Sequence, residues 1–257
     1  MTQTEMNRLV PQKLRELEEA EQIHVLFAVE SGSRAWDFAS PDSDFDIRFI
    51  YIRTENDYLR LKPLRDVLER PVDDVWDLCG WDLKKALQLL HGSNPSLFEW
   101  AGSPIVYRTT EAWEKQVRPM LMQYFQPRKV FMHYLSMGKQ DQKAHLGKAA
   151  IKAKRYFYML RPLLAAKWVL KTETPPPMRF SELVETELDA ELKPIVSALV
   201  EQKRQEAKHG VISRIPELDA YILRETEYLQ AQPLPEARYV PWEPLDELFC
   251  SLLRGAI

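Results

Sequence analysis

Asp44 and Asp46 stand two residues apart at the start of the apolar run Phe45-Asp46-Ile47-Arg48-Phe49-Ile50-Tyr51-Ile52. Alternate side chains of a strand share a face, so the two carboxylates would lie side by side on backbone positions about 7 Å apart. Like charges that close repel, and either a shared proton or a bound cation must compensate them. A hard divalent ion such as Mg²⁺ suits the pair, because it takes carboxylate oxygens and keeps sites for phosphate and water. A lone Asp-x-Asp is also a common accident of a solvated loop. Here Asp46 lies between Phe45 and Ile47, in a strand too apolar to be peripheral, where a buried carboxylate needs a partner.

A second group of residues comes just before, where Gly32-Ser33-Arg34 closes the apolar stretch Ile23 to Val29. Gly32 lets the backbone approach a phosphate, Ser33 offers a hydroxyl and an amide to its oxygens, and Arg34 adds a positive charge. Taken alone, the same residues make an ordinary tight turn.

The elements that must position these groups can be read from periodicity. Val10, Leu14 and Leu17 recur at helical spacing from Leu9, with Pro11 suited to a first turn. Strands are predicted at Ile23 to Val29, at Phe45 to Ile52 and, more weakly, at Val75 to Cys79, ending at Gly80. Leu83, Ala86, Leu87 and Leu90 give a helical stripe, Asn94-Pro95 opens a short helix and Ser103-Pro104 ends it. From Glu111 nearly everything reads as helix, over 129–139, 148–170, 190–208 and 218–229, with Pro175-Pro176-Pro177 as an extended connector and a last helix over Leu245 to Leu253. The fold class is α+β, with a boundary between residues 105 and 127 that divides the chain into domains 1–110 and 111–257.

Composition bounds the functions open to such a chain. Its 257 residues suffice for two modest cores, and 45% hydrophobic with 28% charged residues is ordinary for a globular protein. A net charge of −3 excludes the overall basic character of non-specific nucleic-acid binders, so any nucleic-acid contact must come from a local patch. The 2 cysteines, Cys79 and Cys250, indicate neither a disulfide framework nor a zinc site. Neither a signal peptide nor a membrane-spanning stretch is apparent, and a reducing cytoplasm fits best.

Gly32-Ser33 followed by Asp44-Phe45-Asp46 on the next strand resembles the nucleotidyltransferase signature of the DNA polymerase β superfamily. The longer strings, Glu30 to Trp36 and Ser40 to Tyr51, are similar to one bacterial and phage branch, the nucleotidyltransferases linked to RNA repair and known as RNA-ligase-associated polymerase β-like proteins. The similarity continues through Gly80 to Leu87, Asn94-Pro95 with Glu99-Trp100, Ser103 to Tyr107 and Tyr156 to Leu163, so it covers both halves. Asp37 departs from the pattern, which favours glycine there; aspartate tolerates a left-handed backbone better than most residues.

The resemblance implies a polymerase β-like catalytic domain, a small mixed sheet with flanking helices, and a C-terminal α-helical domain closing a nucleotide and acceptor cleft. It implies transfer of a nucleoside monophosphate from a nucleoside triphosphate to an acceptor hydroxyl, with RNA ends as acceptor and two Mg²⁺ ions, or Mn²⁺ in their place. It also calls for a third metal-binding carboxylate on a neighbouring strand. Asp77, between Trp76 and Leu78, is chosen over Asp73, over Asp74 as the fallback and over Asp82, which sits where a helix cap belongs. Metal ligands and catalytic acids are then Asp44, Asp46 and Asp77, and the nucleotide-binding set is Gly32, Ser33, Arg34 and Ser43 with Lys154, Tyr158 and Arg161 on one helical stripe. Two other readings stay open: a nucleotide-binding regulatory or antitoxin-like module without turnover, and transfer to a protein or a small molecule. No feature specifies an oligomeric state.

Overall fold

The Thr2 hydroxyl accepts the Glu5 N–H while the Glu5 carboxylate accepts the Thr2 N–H, a reciprocal cap that starts the first helix. That helix, α1 (Gln3–Glu21), therefore begins earlier than the stripe from Leu9 predicts, and Pro11 lies inside it rather than in its first turn. The computed structural model describes residues 2–69, 76–148, 150–205 and 210–255. In chain order there follow β1 (His24–Glu30), the single turn α2 (Gly32–Ala35), β2 (Phe45–Ile52), α3 (Glu55–Tyr58), β3 (Val67–Glu69), β4 (Trp76–Asp82), α4 (Leu83–His91), α5 (Pro95–Ala101) and β5 (Val106–Thr109). A π-helical turn (Trp113–Val117) precedes α6 (Arg118–Tyr124), α7 (Pro127–His145), β6 (Ala150–Lys152), α8 (Lys154–Thr172), α9 (Phe180–Glu187), α10 (Lys193–Gln205), β7 (Val211–Ser213), α11 (Pro216–Ala231) and α12 (Glu243–Gly255).

The chain forms two units, one comprising Met1–Gly32, Asp44–Tyr124 and Tyr239–Ile257, the other Ser33–Ser43 and Phe125–Arg238. The first holds a five-stranded mixed sheet in the order β3-β4-β2-β1-β5. Only β2 and β4 pair in parallel; the other neighbours are antiparallel. Met6, Val10, Leu14 and Leu17 of α1 cover one face together with Phe45, Ile47, Phe49, Tyr51, Trp76 and Leu78. Burial along β2 alternates from Phe45 to Arg48 and is then continuous to Ile52. The second half of that strand is enclosed on both faces, with α4 packed on β2, whereas its first half keeps one face open.

Gly80 lies within β4 rather than ending it, directly opposite Phe49. A Cβ there would stand 2.0 Å from the Phe49 ring, so the bare glycine makes room for that ring and the strand runs on to Asp82. At the other end of this unit the Tyr124 hydroxyl donates to the Pro241 carbonyl at 2.7 Å and the His91 ring stacks on Trp242 with centroids 3.5 Å apart. These contacts gather the segment that includes α12 with the sheet unit, a division that differs from a single cut after residue 110.

The second unit is built around α8, which packs on α7, α9 and α11. Its predicted helix over 148–170 opens instead with the short strand β6, paired antiparallel with β7 through Ile151 beside Ile212. The helix over 190–208 divides into a 3₁₀ turn (Ala190–Leu192) and α10. The loop from Ser33 to Ser43 packs in this unit through Phe38, which stacks on Phe157 and meets Phe180 edge-on. Among the described residues no helix is long and apolar enough to cross a membrane.

Candidate active site

The open half of the sheet carries the acids. In the parallel register of β2 and β4, Asp46 stands beside Asp77, and both project from the half-buried face while Phe45, Ile47, Trp76 and Leu78 enter the core. Asp44 immediately precedes β2 at an exposed position. Burial holds the Asp46 carboxyl above the ordinary carboxylate range; Arg48 pulls it down, and the charges of Asp77 and Asp44 push it up again. Asp46 therefore feels the charge of both other acids.

Two residues that the sequence reading assigned no role fix this arrangement. Glu30, at the end of β1, is fully buried. Its Oε1 accepts the Asp46 backbone N–H at 2.7 Å and its Oε2 accepts the Tyr107 hydroxyl, while the Ser31 N–H returns to the Asp46 carbonyl at 2.8 Å. The backbone of Asp46 is thus held from β1 at both its N–H and its C=O. The second residue is Arg48, whose Nη2 donates to Asp46 Oδ1 at 2.9 Å and to Asp77 Oδ2 at 2.7 Å. A signal for Glu30 did exist, since a carboxylate ending a strand as apolar as Val25 to Val29 needs buried donors.

Gly32 closes the site from the side of β1. Its φ is +57°, and a Cβ there would lie 2.0 Å from Asp46 Oδ2. Glycine is thus required twice over, once for the left-handed backbone and once for the space that the carboxylate fills.

Asp82 lies at the far end of β4, where it caps α4 by accepting the Lys84 N–H at 2.8 Å and receives the Tyr58 hydroxyl at 3.0 Å. It is the helix cap that its position suggested. Asp73 and Asp74 lie outside the described residues.

Among the described residues no cluster of three or more carboxylates, thiols or histidines is gathered closely enough to hold a metal as it stands. The donors present nonetheless suit a hard cation. Asp46 Oδ1 and Asp77 Oδ2 already converge on one cationic nitrogen, and Asp44 adds a third anionic oxygen donor nearby in sequence.

The remaining predicted residues lie in the second unit. The chain passes into it between Gly32 and Ser33 and leaves it between Ser43 and Asp44. Within the loop, Arg34 donates to the Ser43 carbonyl at 2.6 Å, the Phe38 N–H donates to the Ser33 carbonyl at 3.0 Å and the Ser43 hydroxyl accepts the Ser40 N–H at 2.9 Å. Asp37 adopts φ +68°, the left-handed conformation for which glycine is the usual choice. Its side chain bonds Ser181 and Arg204, at 3.2 and 3.1 Å, so the aspartate supplies contacts that a glycine would lack.

Lys154 and Tyr158 are partly exposed on α8, with Tyr158 edge-on to Trp36. Arg161 is almost wholly buried, its guanidinium 4.4 Å over the Trp36 ring, and braces the loop through that ring. Lys203, a residue with no signal in the sequence, is 6% exposed and lies 4.4 Å over the Phe38 ring. Burial, with Lys154 nearby, pushes its ammonium down to about 8, and Asp42 opposes the fall. Ser33, Arg34 and Ser43 therefore share one braced loop, and Lys203 senses both that loop and Lys154.

Comparison with known proteins places the chain in a family. The family model RlaP, described as the RNA repair pathway DNA polymerase beta family, matches residues 6–251. The Bacillus subtilis (strain 168) protein called Uncharacterized protein YcgL is 39% identical over 223 residues, which are 86% of this chain and 86% of that one. The crystal structure of a nucleotidyltransferase-like protein from Exiguobacterium sibiricum 255-15 aligns over 98% of this chain and 92% of its own, at 12% identity and a TM-score of 0.31.

Proposed function

This chain belongs to the RNA repair pathway DNA polymerase beta family, and we propose that it transfers a nucleoside monophosphate from a nucleoside triphosphate to a hydroxyl at an RNA end, releasing pyrophosphate. The reaction class follows from the family, a branch of the polymerase β superfamily of nucleotidyltransferases, and RNA as acceptor is supported by the repair pathway in the family's description. One observation carries the reading: carboxylates from adjacent parallel strands, Asp46 and Asp77, meet at a single cation beneath a glycine that no other residue can replace without striking Asp46.

Asp44, Asp46 and Asp77 would hold two magnesium ions, or manganese. When bound, magnesium supplies charge neutralisation on the triphosphate and lowers the pKa of the attacking hydroxyl. The new bond joins the acceptor oxygen to the α-phosphorus, and the bond from that phosphorus to the bridging oxygen of the leaving pyrophosphate breaks. Asp77 takes the hydroxyl proton. Gly32, Ser33, Arg34 and Ser43 bind the β- and γ-phosphates, with Lys154 and Lys203 as further cations. Tyr158 stacks on the base or ribose. Arg161 acts through Trp36, keeping the loop in shape.

The test uses labelled nucleoside triphosphates, Mg²⁺ and short RNAs with defined ends. We expect label on RNA with the wild-type chain and a loss of at least about 100-fold with Asp46→Ala. Unchanged transfer by Asp46→Ala rules the scheme out. Triphosphate binding without pyrophosphate release under every acceptor would instead favour a regulatory module, and labelling of protein or small molecules alone would reassign the acceptor.

A further inference from the structure

The acids of the sheet unit already share a counter-ion. Besides the two carboxylate bonds from Nη2, Nη1 of Arg48 donates to the Ile47 carbonyl at 3.2 Å and to the Asp77 carbonyl at 3.0 Å. Those carbonyls belong to β2 and β4, whose ladder fixes them. A guanidinium is a rigid planar fork that stays charged at any pH the protein meets. One permanent cation is therefore pinned across two strands at the point where Asp46 and Asp77 meet. A divalent ion seated between the same two carboxylates would stand close to the guanidinium that Asp46 Oδ1 and Asp77 Oδ2 already hold, and two cations at that distance repel.

We propose that Arg48 is a resident counter-ion that competes with divalent metal for Asp46 and Asp77, and so sets how tightly the site takes an ion before the nucleotide arrives. The proposal rests on the reading of these acids as metal ligands. Without metal, Arg48 relieves the repulsion between the paired carboxylates and keeps β2 and β4 in register. On metal binding the Nη2 bonds give way, while Nη1 keeps the side chain tethered to its carbonyls. Arg48 is a positioning residue in this scheme and touches no reacting atom.

The experiment is a calorimetric titration of the full chain with Mn²⁺ alone, without nucleotide, in the wild type, Arg48→Gln and Asp46→Asn, each also melted with and without Mn²⁺. Competition predicts that Arg48→Gln binds Mn²⁺ about five- to tenfold more tightly than the wild type, the scale of one lost charged partner. It also predicts that this variant melts lower without metal and gains more on its addition. A merely structural arginine predicts the opposite, since loosened strands bind metal less well. Equal or weaker Mn²⁺ binding by a folded Arg48→Gln overturns the proposal. Should that variant fail to fold, Arg48→Met removes the charge while keeping a long unbranched side chain to pack between the strands. Its affinity must then exceed that of the wild type, and an affinity at or below wild type overturns the proposal equally. If the wild type and every variant bind no Mn²⁺, the reading of the acids as metal ligands fails first and the proposal falls with it. Heat that is lost in Asp46→Asn confirms that the ion measured is the one at this site.

Discussion

Gly32 and Asp46 are matched so closely that either constrains the other. A methyl group at residue 32 would have to lie 2.0 Å from Asp46 Oδ2 and adopt φ +57°. The left-handed backbone costs a non-glycine residue about 1 to 2 kcal/mol, and moving the carboxylate adds to that. We expect Gly32→Ala to lower stability in urea by about 2 to 3 kcal/mol and to depress nucleotidyl transfer far more than that loss accounts for. A variant as active as the wild type would separate the glycine from the site. At this scale the sequence was most legible where local order suffices. The alternation of Asp46 with the buried Phe45 and Ile47 follows from strand geometry, whereas Asp44 lies before β2 and not on it, so that the expected side-by-side pair on one strand face is not formed by strand parity. Asp77 is legible from its flanking Trp76 and Leu78 together with a family resemblance. Glu30 and Arg48 were not assigned, because what makes each important is a partner on another strand: the Asp46 N–H, the Tyr107 hydroxyl and the Asp77 carboxylate. Register across strands is not written in either strand alone.

Elements were legible in kind more readily than in extent. The apolar stripe gave α1 and the β-branched run gave β2, while the start of α1 was missed because Thr2 and Glu5 cap it before the stripe begins. An isolated glycine often ends a strand, but Gly80 does not, because the Phe49 ring opposite supplies the packing that a side chain would have given. That substitution of ring for side chain can be tested. Gly80→Val would drive branched carbon atoms into the ring, and we expect a loss of about 2 to 4 kcal/mol in urea unfolding. Because β2 and β4 carry Asp46 and Asp77 in direct register, we also expect Mn²⁺ affinity to fall with it. Retention of both would mean that Phe49 has room to turn aside and that the register is held elsewhere. The pairing of β6 with β7 was illegible for the same reason as the acid contacts: each strand is three residues long and has meaning only beside the other.

For the molecule as a whole, a net charge of −3 conceals two local concentrations of opposite sign, acids in the sheet unit and cations around the loop of the helical unit. Neither is relaxed at neutral pH. Burial raises the Asp46 carboxyl above 3.8, so the folded chain holds its proton more strongly than the unfolded chain does, and stability rises as pH falls through that window. Lys203 works in the other direction. Its folded value of about 8 lies below the ordinary 10.5, so between those values the unfolded chain binds more protons and stability rises with pH. Below about 8 both states are protonated and the full cost of the buried ammonium is present. That cost is on the order of 2 to 3 kcal/mol for such a shift, and an anionic triphosphate that paired with Lys203 would offset it. Urea unfolding of the wild type and Lys203→Met at a series of pH values measures it. We expect the methionine variant to be the more stable at pH 7, and the gap to narrow steadily as pH climbs from 8 towards 10.5. Added ATP should then stabilise the wild type more than the variant. A gap that does not change with pH would mean that Lys203 is solvated as it titrates, and an equal gain from ATP would remove it from the phosphate-binding set while leaving the acids of the sheet unit untouched.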